Sequence, residues 1–205
     1  MSHSQLGQDL EVLKVFNDKT DGFFIEIGAS DGIDLSNTYL LETKYNWKGI
    51  CVEPIPRRFE LLCKNRPNSW CSDRAVFNES NKTVIFNIAN DCDLLSGISE
   101  CIDCHNTCAK FNKTQITVQT ITFNDLLEQF NAPSFVEYLS LDTEGSELEI
   151  LKSVDFQKYT FGIIDVEHNF VEPRRTKIRE LLTSNGYEYI KENQWDDSYK
   201  HNSVQ

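Results

Sequence analysis

The sequence predicts an α/β sandwich in which helices cover both faces of a mostly parallel central sheet. Three observations carry that expectation. The apolar runs FFIEI, GICV, YLSL and FGIIDV are short and nearly uninterrupted, as strands buried on both faces must be. Helix-compatible stretches such as PRRFELLCKN and EPRRTKIRELLTSNG alternate with them, which is the order parallel strands joined by crossover helices need. Acids and turn residues gather where the runs end: Glu26 with Gly28, Glu53, Asp73, Asp142 with Glu144, and Glu167 with His168. Open sheets of this kind collect ligands beyond the carboxyl ends of their strands.

Taken in order, Leu6, Leu10, Leu13 and Val15-Phe16 line one side of an N-terminal helix. FFIEIG is the first strand, GASDGID a turn, SNTYLLETKY a helix and GICVEP the second strand. Pro56 suits the start of the helix PRRFELLCKN. SWCSDRAVF reads as a third strand with an edge-like continuation, and KTVIFNI as another. Residues 89–114 break the rhythm and are expected to form a lid or binding loop. ITVQTI restores a strand, and Thr122 with Asp125 caps a helix through FNDLLEQF. The strand YLSLD, a short helix SELEILKSV, the strand FGIIDVE and the helix of EPRRTKIRELLTSNG follow, then strands YEYIKE and QWDDSYKH. No internal repeat or composition shift marks a linker, so residues 1–205 are expected to form one domain.

The chain has 205 residues, 40% of them apolar, enough for one hydrophobic core. A formal charge of -12 and a pI near 4.8 argue against binding to nucleic acid backbones. No run is long enough to cross a bilayer, and MSHSQLGQDLE lacks a signal-peptide core, so a soluble, cytoplasmic protein is expected. An odd count of seven cysteines without an export signal argues against a disulfide framework. CIDCHNTC brings Cys101, Cys104 and Cys108 beside His105, but no clean second pair completes a zinc site. Free thiols in a loop are expected, with zinc the alternative.

EIGASDG supplies only Gly28 and Gly32 of a dinucleotide fingerprint, and Glu26 and Asp31 make the turn unsuited to a pyrophosphate. Glu53, ending the next strand, can accept hydrogen bonds from vicinal ribose hydroxyls. S-adenosylmethionine carries a sulfonium and an ammonium group and no phosphate, so these carboxylates suit it better. Asp142 and Glu144 are the leading acids for proton abstraction, and Glu167 and His168 emerge at the next strand end. Oxygen-rich ligands with one imidazole suit Mg²⁺ or Mn²⁺. Glu147 either braces Gly145 or faces solvent, and Glu149 is expected to be solvated. Trp195 or Tyr199 could stack on a sugar face or cover the last strand.

The chain resembles the FkbM family of S-adenosylmethionine-dependent methyltransferases. The segments SQLGQD (4–9), FFIEIGASDGIDLSNT (23–38), GICVEP (49–54), SGI (96–98), YLSLDTEGSELEIL (138–151) and DVEHN (165–169) carry the resemblance. It implies a class I, Rossmann-like three-layer sandwich with a seven-stranded sheet, and O-methylation of a sugar or glycoconjugate hydroxyl. It further implies Glu26, Gly28, Ser30 and Gly32 around the methionine portion, Glu53 on the ribose, and Ser72 and Asp73 near the adenine. Gln8 and Asn37 would close the cofactor side. A further similarity to cation-dependent O-methyltransferases implies Asp142, Glu167 and His168 as the metal-facing set, with Glu144 nearer the acceptor. An N-methyltransferase, or a non-catalytic acidic interaction protein on the same fold, are the alternatives.

Overall fold

The computed structural model describes residues 2–102 and 112–205. In chain order the first strands are β1 (Phe23–Ile27), β2 (Lys48–Val52), β3 (Trp70–Ser72), β4 (Ala75–Val76), β5 (Thr83–Ala89) and β6 (Gly97–Ile98). They are followed by β7 (Lys113–Ile121), β8 (Phe135–Leu141), β9 (Thr160–Glu167), β10 (Tyr187–Asn193) and β11 (Asp196–His201). The helices are α1 (Gln8–Val15), α2 (Tyr39–Tyr45), α3 (Pro56–Asn65), α4 (Phe123–Gln129), α5 (Glu147–Lys152) and α6 (Arg174–Ser184).

Seven strands form the main sheet in the order β10-β11-β9-β8-β1-β2-β3. The pairs among β3, β2, β1, β8 and β9 are parallel, whereas β11 runs antiparallel to both β9 and β10. This is the mostly parallel sheet expected of a class I methyltransferase. The side-chain period of two divides its core into two layers. Ile25, Ile27, Ile50, Leu139, Leu141 and Ile164 pack under Phe123, Leu126, Leu127, Ile150, Ile178 and Leu182, covering one face with α4, α5 and α6. On the other face Phe24, Cys51, Tyr138 and Ile163 meet Val12, Leu13, Leu40, Leu41 and Leu62 from α1, α2 and α3. Each fully buried Leu, Ile or Phe contributes roughly 1.5–3 kcal/mol, so both layers help hold the helices on the sheet.

KTVIFNI and ITVQTI form strands, but not in the main sheet. They pair antiparallel with each other from Thr83↔Gln119 to Ala89↔Lys113, within a separate four-stranded sheet β4-β7-β5-β6. Its small core joins Ile55, Ala75, Phe77, Phe86, Ile98 and Val118. The segment expected as a loop at 89–114 therefore contains strand β6, preceded by a single 3-10 turn at Asp93–Leu95. Thr122 caps α4 as expected, its Oγ1 accepting from the Asp125 amide at 3.2 Å. Cys51, Cys63, Cys71, Cys92 and Cys101 are free, while Cys104, His105 and Cys108 lie outside the described residues. Among the described residues no helix is long and apolar enough to cross a membrane.

Candidate active site

Strand register brings the acids together. Glu26 pairs with Ser140, Ser140 with Asp165, and Asp165 with Ser198, forming one row across four strands. Two residues further along their strands, Asp142 and Glu167 repeat that face, and Asp196 pairs with Glu167. The carboxyl ends of β1, β2, β8 and β9 thus surround a cleft of about 300 Å³. Glu26, Gly28, Ser30, Asn37, Glu53, Asp142 and Glu144 all line it, so these seven predicted residues open onto one cavity, which Glu167 does not line.

Gly28 makes the tight turn at the end of β1. Its φ is 90°, and a Cβ there would lie 1.9 Å from the Asp142 carbonyl oxygen. The turn sets Ser30 so that its amide donates to Glu53 Oε2 at 3.0 Å, while the Ile55 amide donates to Oε1 at 2.7 Å. Both oxygens are therefore aimed, and each keeps acceptor capacity. Burial pushes the Glu53 carboxyl up to about 7, against the lowering effect of those two amides.

Glu26 is committed differently. Its carboxylate accepts from the Asn37 amide at 2.7 Å, Thr38 Oγ1 at 2.7 Å and Ser36 Oγ at 2.9 Å, with the Arg66 guanidinium at 3.3 Å. This acid holds the 36–38 turn at the cleft wall rather than offering free lone pairs. Asn37 reaches across the cleft, its Nδ2 donating to Ser140 Oγ at 2.9 Å.

On the acid side, single oxygens of Asp142, Glu144 and Glu167 lie within 4.8 Å of one another. Burial, and then the charge of Glu147, push Asp142 up to about 7. Glu167 is also raised, by burial and by Asp142. Its Oε2 is buried with no hydrogen-bond partner. Three hard oxygens and an orphaned carboxylate atom fit a divalent cation such as Mg²⁺ or Mn²⁺. Glu147 braces the loop: its Oε1 accepts from the Thr143 and Gly145 amides, both at 3.0 Å, and from Thr143 Oγ1 at 2.9 Å. Glu149 pairs with Lys152 at the surface.

Several predicted residues stand elsewhere. His168 does not join Asp142 and Glu167. Its Nδ1 accepts from the Phe170 amide at 2.9 Å and its Nε2 faces Asp197 Oδ1 at 3.5 Å. Successive residues leaving β9 point to opposite sides, so Glu167 and His168 cannot both face the cleft. Burial lowers the His168 pKa, whereas Arg175 lowers Asp197 despite its burial. Gly32 packs on Leu62 and Arg66 behind the cleft. Ser72 is buried and Asp73 exposed, and neither lines the cavity, because β4 turns inward immediately after them and presents Ala75 and Val76 instead. Gln8 acts at one remove, its Nε2 donating to Asp196 Oδ2 at 2.7 Å. Tyr199 is fully buried and its hydroxyl lies 3.3 Å from Asp197 Oδ2, so it covers the strand and cannot stack on a ligand.

Sequence reasoning missed Asp165 and Asp196, which also line the cleft. Asp165 accepts from the Tyr138 hydroxyl at 2.8 Å and from Ser198. Asp196 is pushed up to about 7 by burial and then by Asp142. The period of two from Glu167 back to Asp165 was the available signal. Cys92–Ser96, within the segment expected as a lid or binding loop, forms another wall, held to α3 where Arg58 donates twice to Asp93, at 2.9 and 2.5 Å.

The model of the methyltransferase FkbM domain matches residues 26–189, most of the chain. No curated protein sequence matches. The crystal structure of methyltransferase FkbM from Methylobacillus flagellatus KT superposes with a TM-score of 0.52 at 13% identity, covering 88% of this chain and 44% of that one. This chain thus spans under half the length of that relative. The METTL16 MTase domain gives a TM-score of 0.52 at 11% identity, covering 95% of this chain and 65% of that one. At such identities the superpositions speak for the fold, and the domain match for the lineage. The chain belongs to the FkbM methyltransferase family.

Proposed function

We propose that this chain is an S-adenosylmethionine-dependent O-methyltransferase acting on a hydroxyl of a sugar or glycoconjugate. The observation that carries this reading is that Glu53 and Asp142 line one cleft of about 300 Å³ walled by carboxylates. A cationic donor without phosphate suits such walls, where a dinucleotide would be repelled. Glu53, with both oxygens aimed by backbone amides, accepts the ribose hydroxyls. Pro54, Ile55, Val76 and Leu95 supply an apolar wall beside it for the adenine. Asp165 and Asp196, further along the cleft, face the ammonium group.

When bound, the donor supplies a methyl group on cationic sulfur, which leaves as a neutral thioether. The acceptor oxygen forms the new C–O bond and loses its proton. Asp142, with a carboxyl held near 7, takes that proton at neutral pH, and Glu144 orients the hydroxyl. Glu144 and Glu167 would hold a Mg²⁺ or Mn²⁺ ion beside Asp142, and the ion's charge would polarise the acceptor oxygen and keep Asp142 ionised to take the proton.

The test is incubation with methyl-labelled donor and a panel of glycans, followed by linkage analysis of the product. Asp142→Asn should lower turnover by roughly 10²–10⁴-fold while S-adenosylhomocysteine binds as before. Chelation should abolish turnover and added Mg²⁺ or Mn²⁺ restore it. Label appearing only on amines would overturn the O-methylation reading.

A further inference from the structure

We propose that Phe170 is an acceptor-specificity residue: its exposed ring is the platform on which the apolar C–H face of a pyranose stacks while a hydroxyl enters the acid set. This rests on the carbohydrate O-methylation reading above and names what that site uses to choose its acceptor.

Phe170 is 60% exposed, the most exposed of the chain's large apolar residues among those described. It does not line the donor cleft, so the donor does not account for its exposure. It lies three residues beyond the end of β9, and its neighbour Asn169 places Nδ2 3.5 Å from Glu144 Oε2. One residue therefore separates the acid set from the ring.

The ring has two neighbours and stays mostly in solvent. The His168 imidazole meets it edge-on with centroids 5.0 Å apart, and the Arg175 guanidinium carbon lies 5.9 Å from its centroid. Arg175 is itself fixed by two hydrogen bonds to Asp197, at 2.9 and 2.7 Å. Backbone bonds lock the turn: the His168 and Asn169 amides donate to the Trp195 carbonyl at 2.8 and 3.3 Å, and the Phe170 amide donates to His168 Nδ1 at 2.9 Å. His168, which does not face the acids, thus acts as a positioning residue for the ring.

This presentation opposes the local preference of the chain. Asn169 and Phe170 adopt φ of 46° and 58° in succession, and an aromatic residue in the left-handed region is strained. The turn thus holds a large apolar ring mostly in solvent at a conformational cost. A ligand with an apolar face and polar rim supplies the missing contact. Pyranoses have that character, with axial C–H groups on one face and hydroxyls at the edge, and aromatic rings complement them. Half-buried Trp195 flanks the turn, its Nε1 donating to Gln5 Oε1 at 3.4 Å, and Gln5 lines the cleft.

The experiment compares the wild type with Phe170→Ala, Phe170→Gly and Phe170→Trp. The probes are S-adenosylhomocysteine for the donor site, and methyl glycosides of mannose, glucose and galactose with their di- and trisaccharides as acceptors. Both truncations should raise acceptor KM about 10-fold, with kcat little changed, and Phe170→Trp should restore it. Donor affinity should not change in any variant. Phe170→Gly should also raise Tm by about 2–4 °C, because glycine relieves the left-handed strain. An unchanged acceptor KM in the truncated variants, or a lowered Tm in Phe170→Gly, would make Phe170 a packing residue and overturn the proposal. A wild type that binds S-adenosylhomocysteine but methylates no glycoside would overturn both the stacking role and the carbohydrate reading. A folded wild type that binds no S-adenosylhomocysteine would remove the donor site itself.

Discussion

Gly28 is the residue on which the meeting of donor and acid sides turns. Its φ of 90° carries the chain back over β2, where both Gly28 and Ala29 donate to the Val52 carbonyl, and lets the Asp142 carbonyl approach. An alanine Cβ would meet that oxygen at 1.9 Å. Gly28→Ala is expected to destabilise the fold by roughly 2–5 kcal/mol, from left-handed strain and from displacement of β8 together. Thermal unfolding monitored by circular dichroism measures this, and an unchanged Tm would refute the close approach. At this scale placement was readable: that Gly28, Glu53 and Asp142 gather where strands end needed only the strand–turn pattern. His168 was misread because the residue after a strand faces whichever side the last pleat dictates, and one position decides it. Asp196 was hidden because its face depends on the antiparallel register with β9, which local pattern does not contain.

Between elements, a buried arginine does the joining. Arg66, just beyond α3, is fully buried and donates to Glu42 Oε2 of α2 at 2.6 Å, to Thr38 Oγ1 at 2.8 Å and to Glu26 Oε2 of β1 at 3.3 Å. Three elements beside the cleft share one guanidinium. Arg66→Met would leave Glu26 and Glu42 buried without their cation, at a cost of roughly 3–5 kcal/mol. Chemical denaturation should show that loss in the midpoint with the slope unchanged. Retained stability would mean that the Ser36, Asn37 and Thr38 donors suffice alone. The main-sheet strands were legible as apolar runs because strands buried on both faces have no polar alternation. The second sheet was not. β5 and β7 pair with each other across the Cys-containing segment, and nothing local distinguishes such a partner from a place in the main sheet. The resemblance implied Ser72 and Asp73 near the adenine, but the chain turns into β4 directly after them.

Over the whole molecule, the sheet gathers carboxylates at one end and buries them. Glu53, Asp142 and Asp196 are each pushed up to about 7, whereas in an unfolded chain such groups ionise near 4. Between those values the folded chain holds protons that the unfolded chain has released. Stability of the ligand-free protein should therefore fall as pH rises from about 4.5 to 7.5, the reverse of ordinary acid lability. A Tm that rose steadily over this range would contradict it. On the proposed reading, a cationic donor would reverse the balance by favouring the ionised carboxylates. Ionised Glu53 is also the better acceptor for ribose hydroxyls, so donor affinity should increase as pH passes through about 7. Calorimetric titration of S-adenosylmethionine into the folded chain at pH 6 and pH 8 tests the central claim most directly. The expected result is one donor per chain, bound more tightly at pH 8, with affinity falling at least about 10-fold in Glu53→Gln, whose amide loses the charged acceptor. A well-folded wild type that takes up no donor at either pH, or a Glu53→Gln variant that binds it equally well, would contradict the account.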